Sequence, residues 1–173
     1  MLTTKPRLVP LMLVSIGLLG TATARADDAE CFTVASLRGT YVVVTSYTGD
    51  FAAAFGVRQL DGEGNLTGTF VLNEPEPGST TGGRKIVTGT QMGTYTVNCD
   101  GTGLITRIVK SSSGVTGTQH DDFVITRAIR KHGRLLATGI HDIEREASLL
   151  VPGGLLVTRD YTLRPDPREE EEE

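Results

Sequence analysis

The chain has 173 residues, with 17 basic and 21 acidic side chains, a formal charge of −4, 21 glycines, two cysteines and no tryptophan. It has no basic excess to hold a phosphate backbone, which excludes a nucleic-acid partner on charge. Two cysteines are too few for a disulfide-dense scaffold or a four-cysteine zinc site, and glycine in this abundance does not suit a helical bundle.

Lys5 and Arg7 precede an apolar stretch from Leu8 to Gly20, and Ala24-Arg25-Ala26 forms a small-x-small cleavage site. This order reads as a secretory signal peptide over residues 1–26, with an apolar run too short to span a bilayer. Its removal leaves 147 residues and a charge of −7, five of the negative charges lying in Glu169 to Glu173. That length suits one domain with a real core, expected over residues 27–164, followed by an acidic tail over 165–173. No later apolar run is long enough for a transmembrane helix. The expected location is secreted or periplasmic. In that oxidising setting Cys31 and Cys99 are most simply one disulfide. It closes a loop of 68 residue steps, worth about 4 kcal/mol in the chain-entropy model.

In chain order, Cys31 to Arg38 has room for one short helical turn. Gly39 to Tyr47 is β-branched and aromatic, a strong strand. Phe51 to Leu60 reads as a weaker strand, because Ala52-Ala53-Ala54 also suits a helix. Asn65 to Asn73 follows the turn Asp61-Gly62-Glu63-Gly64. Glu74 to Gly83 is a loop rich in proline and glycine. Arg84 to Asn98 is long for one strand, and Gly89 and Gly93 are expected to bend or bulge it. Asn98-Cys99-Asp100-Gly101 reads as a type I turn with Gly101 left-handed. Gly103 to Lys110 returns, and Ser111 to Gln119 is read as a loop. Asp121 to Lys131 and Arg134 to Asp142 flank a two-residue turn at His132-Gly133. Leu155 to Leu163 is the last strand. No segment sustains a 3.6-residue period, so helical crossovers are missing and the neighbours are antiparallel. The expected fold is all-β: an up-and-down barrel of about eight antiparallel strands, with a β-sandwich as the alternative.

The two-residue turn sets a register. It pairs Ile129 with Leu136, Arg127 with Thr138, Ile125 with Ile140 and Phe123 with Asp142, all on one largely apolar face. Arg127 is thereby expected inside. A buried guanidinium needs a partner. The choices are a ligand's polar or acidic end, an internal carboxylate, or a register slip that takes it outside. Arg159, within Leu155-Val157-Tyr161-Leu163, and Arg107, between Ile105 and Val109, interrupt apolar stripes in the same way. The three histidines lack the spacing of a zinc site. Gly-x-Ser-x-Gly is absent, and the glycine triplets precede no helix, so neither a nucleophile elbow nor a nucleotide cofactor is indicated. Glu144 and Glu146 are an acid pair that could do acid–base work but is more often a solvated loop face, and no catalytic residue is assigned.

Leu37-Arg38-Gly39-Thr40-Tyr41, the repeated Asp-Gly-x-Gly turns and the Gly-Thr-Phe/Tyr strand fragments at Gly68 and Gly93 carry a resemblance. The chain resembles small secreted bacterial β-barrels of the calycin or allene-oxide-cyclase-like type. In lipocalins the first strand carries Gly-x-Trp, on which a basic residue from the end of the barrel packs. Here Gly39-x-Tyr41 stands in that place, with Arg159 or Arg164 as basic partner. The resemblance implies a barrel lumen that takes an apolar molecule. The leading expectation is a small apolar ligand whose polar or acidic end meets Arg127, Thr138 and Arg159, with Tyr41 beside them and no cofactor. The alternatives are a cyclase or isomerase acting on an apolar substrate in the same lumen, and a structural module with a filled core.

Overall fold

The computed structural model describes residues 31–49, 51–151, 153 and 155–165. The signal-peptide reading (1–26) and the run Glu169 to Glu173 lie outside them. A 3-10 turn at Val34–Ser36 is followed by eight strands: β1 Arg38–Tyr47, β2 Ala53–Asp61, β3 Asn65–Pro75, β4 Arg84–Val97, β5 Thr102–Ser111, β6 Thr116–Lys131, β7 Arg134–Glu144 and β8 Val157–Leu163. Each pairs antiparallel with its neighbour in sequence, and β8 returns to β1. The sheet is therefore a closed up-and-down barrel, with no free edge to protect. Among the described residues no helix is long and apolar enough to cross a membrane.

The turns follow local chemistry. At the β4–β5 hairpin Gly101 has φ 86° and its N–H donates to Asn98 O at 3.0 Å. A left-handed residue there is cheap only for glycine. The expected disulfide is present: Cys31 bonds Cys99, tying the N-terminal segment to this hairpin tip. Two readings change. The Ser111 to Gln119 loop shrinks to residues 112–115, because Thr116 and Gly117 already pair with Lys110 and Val109. β4 runs without a register shift through Gly89 and Gly93. Those glycines make room instead of bending the strand. A Cβ on Gly89 would stand 2.3 Å from the Phe70 ring, and one on Gly93 would stand 2.0 Å from Thr106 O.

The β6–β7 hairpin departs from the simple register at one place. Ile129 faces Leu136, Ile125 faces Ile140 and Phe123 faces Asp142 as expected, but Arg127 faces Gly139, with register shifts on either side. Such a bulge turns side chains away from their alternation. Arg127 is consequently exposed, which corrects its expected place inside the barrel, and Thr138 is half-buried. Gly139 allows this: its missing side chain leaves room for Arg127, whose Nε would lie 2.9 Å from a Cβ there.

The lumen is layered. One end is apolar, built from Leu37, Tyr41, Leu60, Leu66, Tyr95, Ile105, Phe123, Ile140 and Tyr161. Tyr95 anchors it, donating to Leu37 O at 2.8 Å and accepting from Gly62 N–H at 2.9 Å. The other end is smaller and holds Tyr47, Ala54, Leu72, Val87 and Val157. Between them lies a layer of buried charge.

Candidate functional site

Strand alternation carries six ionisable side chains into the middle of the barrel. β2 supplies Arg58, β5 Arg107, β6 Asp121, β7 Asp142 and Glu144, and β8 Arg159, none more than 6% exposed. Pairing aligns them: Asp121 faces Glu144 across β6–β7, and Asp142 faces Arg159 across β7–β8. Arg107 faces Gln119 across β5–β6. Inward glycine gives the long side chains space. A Cβ on Gly68 would stand 3.2 Å from both Arg58 Cγ and Gln91 Nε2.

Arg159 is the hub. Its Nη1 donates to Asp121 Oδ1 at 3.0 Å and Asp142 Oδ1 at 3.1 Å, and its Nη2 to Glu144 Oε2 at 3.0 Å. Arg107 forks onto Asp121, with Nε to Oδ2 at 2.7 Å and Nη2 to Oδ1 at 3.1 Å, while its Nη1 donates to Gln119 Oε1 at 3.1 Å. Arg58 donates through Nη1 to Asp142 Oδ2 at 3.3 Å and lies over the Tyr161 ring, 5.0 Å from its centre. The Tyr161 hydroxyl donates to the same Asp142 oxygen.

The layer separates its acids. Burial works to raise the Asp121 carboxyl, but the Arg159 and Arg107 guanidiniums outweigh it and hold the group well below its ordinary range. Burial raises Asp142 and Glu144, against the pull of Arg159 in both. Burial, reinforced by Arg107 and Arg159, lowers Arg58 to about 9, so it remains a cation at neutral pH.

A cavity of about 30 Å³ opens beside this layer, toward the smaller apolar end. At roughly 10–15 Å³ per water centre it admits about two waters. Its polar wall includes Arg58, Gln91, Gln119 and Glu144, and its apolar wall Val43, Tyr47, Phe70 and Leu150. Leu150 belongs to the β7–β8 connection, of which Leu150, Val151 and Leu155 pack against this end of the barrel. Ser148 Oγ accepts from the Leu150 and Val151 N–H groups, each at 3.2 Å, and Val151 is buried in the apolar end.

Among the described residues, three buried polar atoms here have no hydrogen-bond partner: Nε of Arg58, Nε2 of Gln119 and Oε1 of Glu144. All three residues line the cavity. A buried unpaired polar atom costs about 1–3 kcal/mol. Replacing a buried ion cluster with apolar side chains of similar volume is often neutral or stabilising. Stability alone is therefore a weak reason for this layer.

The expected site residues separate. Arg159 and Arg107 point inward as alternation requires. Tyr41 is buried, its hydroxyl donating to Ala137 O at 2.8 Å and its ring edge-on to Tyr161. The basic partner on an aromatic ring is Arg58 on Tyr161, while the Arg159 guanidinium is taken up by carboxylates. Arg127 stands apart from the cavity, and Thr138 is not among its lining residues. Glu144 corrects the solvated-face reading: it is 3% exposed, whereas Glu146 is outside, bound to His120 Nδ1 at 2.6 Å. Sequence reasoning missed Arg58, Asp121 and Gln119. Their signal was the same alternation: Gln119-x-Asp121-x-Phe123 and Ile140-x-Asp142-x-Glu144 each carry polar residues along an inward face. The chain matches no family model, no curated protein and no solved structure.

Proposed function

We propose that the protein is a secreted or periplasmic barrel that binds a small molecule at one end of its lumen, holding an apolar body against Phe70, Tyr47 and Leu150 and a polar end against the charged layer. One observation carries the reading: three unpaired buried polar atoms belong to residues that line a cavity with an opposite apolar wall. A guest that pairs those atoms recovers free energy that the empty barrel forgoes. The disulfide and the leader-like N-terminus support an oxidising compartment. The narrow free space makes the guest small, or makes Leu150 shift to admit it. A calycin or allene-oxide-cyclase-like relationship, proposed from the sequence motifs alone, would also put the site in the lumen.

The test is native mass spectrometry of the full chain, exported by its own leader in a bacterial host and then extracted. A discrete mass increment released as an unchanged small molecule supports carriage. Repeated preparations of bare protein that also bind nothing from an extract of that host contradict it. A second reading, a cyclase or isomerase, is favoured by one feature. Glu144, raised by burial, lines the cavity, while Asp121 is held ionised behind it, a separation of acids typical of acid–base sites. Release of a rearranged product instead of the unchanged molecule selects it.

A further inference from the structure

The inference rests on the lumen-binding reading and specifies the chemistry of the guest's polar end. Each of the three unpaired residues has one end spent in the network and the other free. Gln119 Oε1 accepts from Arg107, leaving the Nε2 donors. Glu144 Oε2 accepts from Arg159, leaving Oε1, which lies 3.5 Å from Arg107 Nη2 without a hydrogen bond. Arg58 Nη1 is spent on Asp142, leaving the Nε donor. The free set is thus donors from two side chains and one acceptor.

Charge narrows the choice. Arg58, Arg107 and Arg159 face Asp121, Asp142 and Glu144, three cations against three carboxyls within one bonded layer. A carboxylate guest would set a further anion beside Glu144, with every guanidinium already committed to an acid. An ammonium guest would face Arg58 and Arg107. A carbonyl would satisfy the donors and leave the Glu144 oxygen unpaired. A hydroxyl has two acceptor lone pairs and one donor, the complement of this set, and it is neutral.

We infer that the cavity selects an alcohol: a small apolar molecule whose hydroxyl oxygen accepts from Gln119 Nε2 and Arg58 Nε and whose hydroxyl proton is donated to Glu144 Oε1. The free space of about 30 Å³ fits a hydroxyl and little more, so the carbon body lies along Phe70 and Leu150.

The experiment is isothermal titration of the full-length, disulfide-intact protein with a matched six-carbon set at pH 7.5: 1-hexanol, hexanal and hexanoate. The expected result is binding of 1-hexanol at least tenfold tighter than of either analogue, the loss expected for an unpaired buried group. Gln119→Met removes a donor that alcohol and carbonyl oxygens both accept from, without altering the charge balance, so it is expected to weaken 1-hexanol and hexanal alike, each about tenfold. Circular dichroism confirms that the variant is folded. If it is not folded, the wild-type ranking alone decides. Hexanoate or hexanal binding as tightly as 1-hexanol overturns the hydroxyl assignment and leaves the lumen site standing. Failure of all three to bind, at concentrations up to their solubility, overturns both.

Discussion

Replacing Arg159 with methionine removes the cation that holds the charged layer together. The substitution keeps most of the side-chain volume and deletes three hydrogen bonds, to Asp121, Asp142 and Glu144. Two guanidiniums are then left for three buried carboxyls. Breaking a buried ion cluster in this way costs about 3–5 kcal/mol. With a urea slope of about 2 kcal/mol/M, the unfolding midpoint falls by roughly 1.5–2.5 M. The chain has no tryptophan, so far-UV circular dichroism is the signal to follow. The penalty depends on pH with a definite sign. Burial already raises Asp142 and Glu144, so they are the first of the three acids to take up protons as pH falls toward 4. Each proton removes an uncompensated charge, and the gap between variant and wild type narrows. A loss below about 1 kcal/mol at pH 7, or one that does not change between pH 7 and pH 4, refutes the view that Arg159 neutralises a buried acid cluster.

Other outcomes follow from the same architecture. Asp121 is held below its ordinary value of 3.8, so its contribution is present above that pH and lost as pH falls further, and Asp121→Asn is expected to flatten the acid limb of a stability–pH curve. Reducing Cys31–Cys99, which spans 68 residues, is expected to lower stability by about 4 kcal/mol in urea unfolding with and without reductant. Arg127→Ala, at an exposed bulge, is expected to change stability by less than about 0.5 kcal/mol and to leave guest binding unaltered. Gly93→Ala places a Cβ 2.0 Å from a backbone oxygen of β5 and is expected to cost about 1–3 kcal/mol by thermal unfolding.

The barrel was legible in the sequence because its signal is local. Inside-outside alternation marks each strand, Gly101 and His132-Gly133 mark hairpins, and the two cysteines have only each other. Arg107 and Arg159 were placed inside on the same grounds. Arg127 was misplaced because two compensating register shifts, which pass over Thr126 on β6 and Thr138 on β7, break the alternation there and restore it by Ile129 and Leu136. The feature that permits it, the bare backbone of Gly139, shows only when the facing strand is known. Asp142 sat on the inward face of the hairpin, but Asp121 at a strand start and Glu144 in an acid pair look like surface until their guanidinium partners are placed. Arg58 was hidden by the helix-like alanines of Ala52-Ala53-Ala54. What the strands could not show is depth. Alternation says which face a side chain takes, whereas the meeting of three arginines and three acids at one level depends on the stagger of the closed barrel.

The most direct test of the lumen site is the side-chain amide signal of Gln119 in an NMR titration with 1-hexanol. The account predicts saturable shifts of the Gln119 Nε2 resonances, accompanied by backbone shifts at Phe70 and Leu150, with Arg127 unmoved. Shifts confined to outer-wall positions such as Val44 and Ile86, which are 55% and 57% exposed, or no saturable shift at Gln119, would contradict it.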